Sequence, residues 1–189
     1  MVSQFVSPDD VNLLGQLDFD FPPGIHAVGR LDNNSEGLLI LTNNKKVTRL
    51  LFLSDIPHKR TYLVQVNNIL SAENLQRLRE GIIIRIKNAV EYSTPPCDIS
   101  IVEKPELICP QASTTPQFGK HTWLLITLTE GKYHQVRKMM GAVHHRCKRL
   151  IRVSIEDLEL GYLPPGRVKQ IEEDDFFNLL KITNPAEIK

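Results

Sequence analysis

At 189 residues, 41% hydrophobic and 24% charged, the chain can bury a core as one domain of above-average size or as two small ones. No apolar run approaches the roughly 20 residues of a membrane span, and the opening Met1-Val2-Ser3-Gln4-Phe5 lacks the layout of a signal peptide, so no membrane and a cytoplasmic setting are expected. A formal net charge of +1 says nothing about nucleic acid, and three cysteines without a C-x-x-C pair (Cys97, Cys109, Cys147) speak against a disulfide framework or structural zinc, leaving buried or half-buried thiols.

Residues 25–29 read as a short strand. A polar loop, Asp32-Asn33-Asn34-Ser35-Glu36-Gly37, separates it from a wholly apolar second strand at 38–42. Asn43 or Asn44 can cap a helix reaching about Ser54, with Val47, Leu50 and Leu51 inward. Residues 62–66 alternate as a strand. Ser71 caps a helix to Glu80, with Leu75 and Leu78 inward and Gly81 as its stop. The β-branched run 82–86 is a strand. Residues 93–120 hold five of the twelve prolines and read as a loop-rich insertion or an excursion between subdomains. Residues 121–129 are a strand, and 134–143 a helix with Val136, Met139, Met140 and Val143 as core candidates. Residues 147–155 alternate Lys148/Leu150/Arg152 against Arg149/Ile151/Val153 as a strand. A turn at Leu163-Pro164-Pro165-Gly166 precedes a closing helix at 172–181. Strands outnumber helices and mostly follow by short turns, so the expected class is α+β, with a mixed, largely antiparallel sheet flanked by helices.

Charge is unevenly spread. From Lys132 to Ser154 stand Lys132, Arg137, Lys138, Arg146, Lys148, Arg149 and Arg152 with no acid among them, while acids gather at Glu172-Glu173-Asp174-Asp175. Such a stretch is either a phosphate-binding face on a neutral protein or a solvated surface whose acids come from other segments. The loop at 32–37 also admits two readings. Asp32 can be a turn former bonding its own backbone, or a carboxylate held between rigid strands and offered to a ligand.

The string Gly29-Arg30-Leu31-Asp32-Asn33-Asn34-Ser35-Glu36-Gly37-Leu38-Leu39-Ile40-Leu41-Thr42-Asn43 resembles the G-R-L-D-x-x-[ST]-x-G-L-L-[LIV]-L-T-N signature of the RsuA/RluE-type pseudouridine synthases. The resemblance implies that Asp32 is the essential aspartate and that Arg30 serves the same motif. Lys59-Arg60-Thr61-Tyr62-Leu63-Val64 resembles the family's K-x-Y-x-V segment, in which the tyrosine packs on the target base. A tyrosine at a strand start does offer a stacking face and a phenol. Glu130-Gly131-Lys132-Tyr133-His134-Gln135-Val136-Arg137-Lys138-Met139 resembles E-G-[RK]-x-x-Q-[VI]-R-[RK]-M. This implies substrate contacts at Gln135 and Val136, with Val136 lining the uracil pocket. It also makes Arg137 the basic partner that keeps Asp32 ionised in a water-poor pocket. Lys148-Arg149-Leu150-Ile151-Arg152-Val153, with Leu160-Gly161 and the Pro-rich turn behind it, resembles the family's closing motif. From it Lys148, Arg149 and Arg152 are expected to position RNA through phosphates.

What the resemblance implies is a single catalytic domain spanning residues 1–189, in two subdomains around a central cleft, with the pseudouridine synthase catalytic fold. Two departures are expected: the family's first strand, which ends in K-P-x-G, is missing, and no S4-type RNA-binding domain is present. The implied reaction is isomerisation of a ribosomal RNA uridine, of the large subunit by preference. The N1–C1′ bond breaks, uracil turns, and C5 joins C1′. Nothing is added and no electron balance changes, so neither cofactor nor metal is expected, and the six histidines show no ligand spacing. Asp32 can attack C1′, add to C6, or assist loss of the 2′ hydrogen, and the sequence does not choose. A monomer acting on ribosomal RNA is expected. The competing readings are a non-catalytic RNA-binding or ribosome-assembly module, which would tolerate loss of Asp32, and a metal-dependent RNA hydrolase, which would need a cluster of acids or histidines.

Overall fold

The computed structural model describes residues 1–52, 56–113 and 119–182. Its strands and α-helices run β1 (His26–Val28), β2 (Glu36–Gly37), β3 (Ile40–Thr42), α1 (Val47–Phe52), β4 (Arg60–Asn67), α2 (Ala72–Glu80), β5 (Ile83–Arg85), β6 (Glu91–Ser93), β7 (Asp98–Ile101), β8 (His121–Leu128), α3 (Gln135–Ala142), β9 (Cys147–Ile155), β10 (Leu158–Glu159) and α4 (Glu173–Leu180). No helix among the described residues is long and apolar enough to cross a membrane.

The main sheet has the order β10-β9-β4-β8-β7, every neighbouring pair antiparallel. β2 adds to β9 in parallel, Glu36 opposite Ile151 and Gly37 opposite Arg152, which makes the sheet mixed but largely antiparallel. β4 is its axis. Arg60 to Asn67 pairs along its whole length with β8, and β9 lies on its other side with two register shifts. Its residues Leu63 to Val66 are buried on both faces. Val64 and Val66 face a core shared with Leu124 and Ile126 of β8, Leu78 of α2 and Met139 and Met140 of α3. Leu63 points the other way, into a cluster with Trp123, Ile151 and Val153, as the period of two requires. A third cluster packs Val28, Ile40, Val47 and Leu51 against Ile155, Phe177 and Leu180 of the closing helix.

Local signals explain most elements. Ser71 accepts from the Asn74 backbone N–H at 3.2 Å and starts α2, which stops at Gly81 with φ +102°. The Asn44 side chain accepts from Lys46 N–H at 3.0 Å ahead of α1. The expected end of that helix, Ser54, lies outside the described residues. The expected strand at 38–42 is divided: Gly37 pairs with β9, Leu38 and Leu39 lie outside the strand ladders, and pairing with β1 begins at Ile40. The segment expected to be a loop-rich excursion contains β7, which takes the sheet's edge beside β8 from Asp98–Thr127 to Ile101–Leu124. Arg79 of α2 donates from Nε to the Ile99 carbonyl of that strand at 2.7 Å. Beyond β7 its described residues include short 3-10 turns at Pro105–Leu107 and Pro110–Ser113. The cysteines are free, Cys109 buried and Cys97 and Cys147 half-buried. Burial pushes the Cys97 and Cys147 thiols up to about 11.

Gly37 has φ +103°, and a Cβ there would lie 2.3 Å from the Arg152 carbonyl oxygen and 2.7 Å from its nitrogen. Backbone cannot yield as a flexible side chain does. Gly37→Ala should therefore cost about 2 kcal/mol or more. Thermal unfolding followed by circular dichroism should show a melting temperature lower by at least about 4 °C.

Candidate active site

The loop between β1 and β2 is tied at several points. Ser35 N–H closes a turn on the Asp32 carbonyl at 2.8 Å. Behind the loop, Leu31 N–H donates to Ser3 Oγ at 3.0 Å, and that hydroxyl donates back to the Leu31 carbonyl at 3.4 Å. From α3, Arg137 Nη2 donates to the Asn34 carbonyl at 2.5 Å and to Ser35 Oγ at 3.4 Å. At the exit, Leu38 N–H donates to the Arg152 carbonyl at 2.8 Å, and Arg152 Nε donates to the Leu38 carbonyl at 2.8 Å. Asp32 stands at the start of this braced turn with its side chain 31% exposed, its Oδ1 3.4 Å from His134 Nε2. A carboxylate so held faces solvent without freedom to wander, which is the arrangement a reacting group needs.

The residues expected at the site fall into three groups. Asp32 and Arg137 meet through the loop but do not pair: the Arg137 guanidinium is taken up by the Asn34 carbonyl, Ser35 and the Cys147 carbonyl. Among the described residues the side chain facing the Asp32 carboxylate is the imidazole of His134, not the guanidinium of Arg137. Tyr62 is half-buried on β4, opposite Ile126 and Arg152, and packs on the sheet–helix core. The Arg152 guanidinium lies beside its phenol, and burial lowers the arginine's own pKa against the pull of Tyr62. Arg30 is exposed. Val136 is buried in the core with Met139 and Met140. Gln135 is buried too, and its amide braces the turn before α3: Nε2 donates to Glu130 Oε1 at 2.6 Å, and Oε1 accepts from Lys132 N–H at 2.8 Å. Tyr92 donates to the other Glu130 oxygen, a bond that holds its phenol up at about 12.

The basic strand departs furthest from expectation. Lys148 is exposed, but Arg149 and Arg152 are not phosphate arms. Arg149 gives Nε and Nη2 to the two Glu36 oxygens at 2.9 and 2.8 Å and Nη1 to the Gln111 and Ala112 carbonyls at 3.0 and 3.1 Å. Arg152 is 3% exposed. The simple alternation fails because β9 is covered on both faces from Leu150 to Val153 and flanked by β4 and β2. Of the basic run, Lys132, Arg146 and Lys148 are exposed. A cavity of about 1940 Å³ is lined by Asp32 and Ser35 of the loop together with Phe21, Leu163 and Phe176, and Tyr62 and Arg137 do not line it. No group of three or more His, Cys, Asp or Glu among the described residues is placed to hold a metal ion. Ser3, Glu36 and His134 escaped sequence reasoning, since none has a spacing that ties it to Asp32.

The largely antiparallel sheet with its flanking helices is the fold of an RNA-modifying isomerase. The family model described as RNA pseudouridylate synthase matches residues 11–142, and the chain belongs to that family. It is 32% identical to an uncharacterized RNA pseudouridine synthase of Aquifex aeolicus, over 93% of this chain and 63% of that protein. It is 36% identical to a ribosomal large subunit pseudouridine synthase E of Xanthomonas axonopodis pv. citri, over 87% and 85% respectively. A crystal structure of a pseudouridylate synthase superposes with a TM-score of 0.74 at 25% identity, covering 94% of this chain and 68% of the other.

Lys148 and Arg149 should separate cleanly on substitution. Lys148→Ala should leave the melting temperature unchanged and reduce the slope of log affinity against log salt for RNA by about 1. Arg149→Ala, which takes the donor from the Gln111 and Ala112 carbonyls, should lower stability by about 1–3 kcal/mol. Melting curves and RNA titrations over a potassium chloride series on the same samples check both.

Proposed function

We propose that this chain isomerises a uridine of ribosomal RNA, in the large subunit, to pseudouridine, with Asp32 as the catalytic carboxylate. The observation that carries the reading is Asp32 itself: a part-exposed carboxylate on a turn anchored by Ser3, Arg137 and Arg152. The choice of RNA follows the Xanthomonas relative, which is named for the ribosomal large subunit. The target base leaves its stack and enters beside Asp32. Tyr62 offers its ring to that base, Val136 and Gln135 back the pocket, and Arg137 holds the loop rather than the carboxylate. Arg30, Lys132, Arg146 and Lys148 are the exposed side chains that meet phosphates in this reading. The protein works as a cytoplasmic monomer, one catalytic domain of two subdomains, without cofactor or metal.

Asp32→Asn keeps the size and turn-forming capacity of the residue and removes its charge and nucleophilicity. Release of tritium from RNA labelled at C5 of uridine reports the chemistry, because C5 must lose its hydrogen. The variant should release none while still binding RNA and melting near the wild type. Wild-type release by a folded Asp32→Asn protein would sink the assignment.

Metal removal separates this reading from an RNA hydrolase. Prolonged treatment with a chelator should leave tritium release unchanged, whereas a metal-dependent hydrolase would lose its activity.

A further inference from the structure

We propose that His134 is a positioning residue for Asp32, its imidazole fixing the direction of the carboxylate, an inference that rests on Asp32 being the catalytic group. The first observation is the contact: His134 Nε2 lies 3.4 Å from Asp32 Oδ1, both side chains about one-third exposed at 34% and 31%. The guanidinium that would otherwise do this work is bound to the loop backbone. The second is conformation. His134 is the residue before α3 and sits in the left-handed region at φ 55° and ψ 30°, yet its side chain makes no capping bond to the helix. Helix starts are normally extended and capped by a side-chain oxygen. The imidazole is therefore not committed to starting the helix and stays available to Asp32. The third is the ring's support. It stacks on Tyr133 at 3.9 Å and 18°, and the Lys138 ammonium lies 5.3 Å from the other aromatic ring.

The imidazole plane is thus set by a stack, its backbone by the turn braced through Gln135 and Glu130, and its partner loop by Arg137 two residues into the same helix. Asp32 and His134 are consequently referenced to one rigid element, the start of α3. A separation of 3.4 Å is long for a charge-assisted hydrogen bond, and such bonds commonly shorten when substrate closes the site. A shortened bond from Nε2–H would leave the other carboxylate oxygen aimed at the base or sugar.

The test compares His134→Phe, which keeps a ring to stack on Tyr133 and loses the donor, with His134→Gln, whose amide N–H reaches near the position of Nε2. Tritium release is measured on ribosomal RNA from cells lacking the protein, labelled with 5-tritiated uridine, with wild type and Asp32→Asn alongside. His134→Phe should lower kcat about tenfold with KM within about twofold of wild type, and His134→Gln should recover most of that loss. If His134→Phe melts below the assay temperature, His134→Asn replaces it, since Asn tolerates the left-handed region and its amide is one bond too short to reach Asp32. A kcat within about twofold of wild type for the donor-lacking variant, a loss confined to KM, or a Gln variant as slow as Phe would each overturn the proposal. Those results, with Asp32→Asn inactive, leave the assignment of Asp32 standing. An active Asp32→Asn would instead remove both.

Discussion

The close approach of Gly37 to the backbone of Arg152 decides where Asp32 can stand. It lets the chain leaving the Asp32 turn run into the main sheet as a parallel partner of β9, with Leu38 exchanging hydrogen bonds with the backbone and the side chain of Arg152. The same strand register brings Arg152 opposite Tyr62. One contact without a side chain thus sets the spacing between a surface carboxylate loop and the tyrosine strand, and β4, buried along its middle, carries that spacing into the core.

Arginine serves this molecule chiefly as mortar. Arg137, Arg149 and Arg152 each satisfy main-chain carbonyls between elements distant in sequence, and only Arg149 does so with a carboxylate also in hand. The planar fork of donors suits a guanidinium to this and an ammonium poorly, so lysine would not substitute at these three positions. Taking such charges out of water is costly. Burial lowers the pKa of Arg152 and of Arg60, and both lie beside the Tyr62 phenol. The positive charge of this interior bears on the tyrosine between them.

The sequence was most readable where one residue type has one physical use. Ser71 and Gly81 bracket α2, the strand at 121–129 is found within a residue, and the core positions Met139, Met140 and Val143 follow from helical spacing. β7 was hidden because prolines at 95, 96, 105 and 110 surround a four-residue strand with a single buried position, Ile99. The Asp32 loop was legible as a string of residues, since its signature lies in one stretch of chain. The roles of Arg149 and Arg152 were not, because whether an arginine on a strand meets solvent or interior depends on β2 returning from more than a hundred residues away. His134 was invisible for a related reason: its importance lies in a backbone angle and a contact across the chain, and neither leaves a spacing to read.

The Arg79 side chain bonded to the Ile99 carbonyl has a consequence for how the molecule keeps its own company. β7 ends the main sheet, and a terminal strand with open carbonyls and amides is a template on which another chain can add. A guanidinium laid across that strand from α2 occupies one acceptor and places a charge over its neighbours. Ile101, 49% exposed on the same strand, would otherwise offer a foreign strand an apolar foothold. The excursion that adds β7 to the sheet therefore brings its own guard against edge-to-edge aggregation.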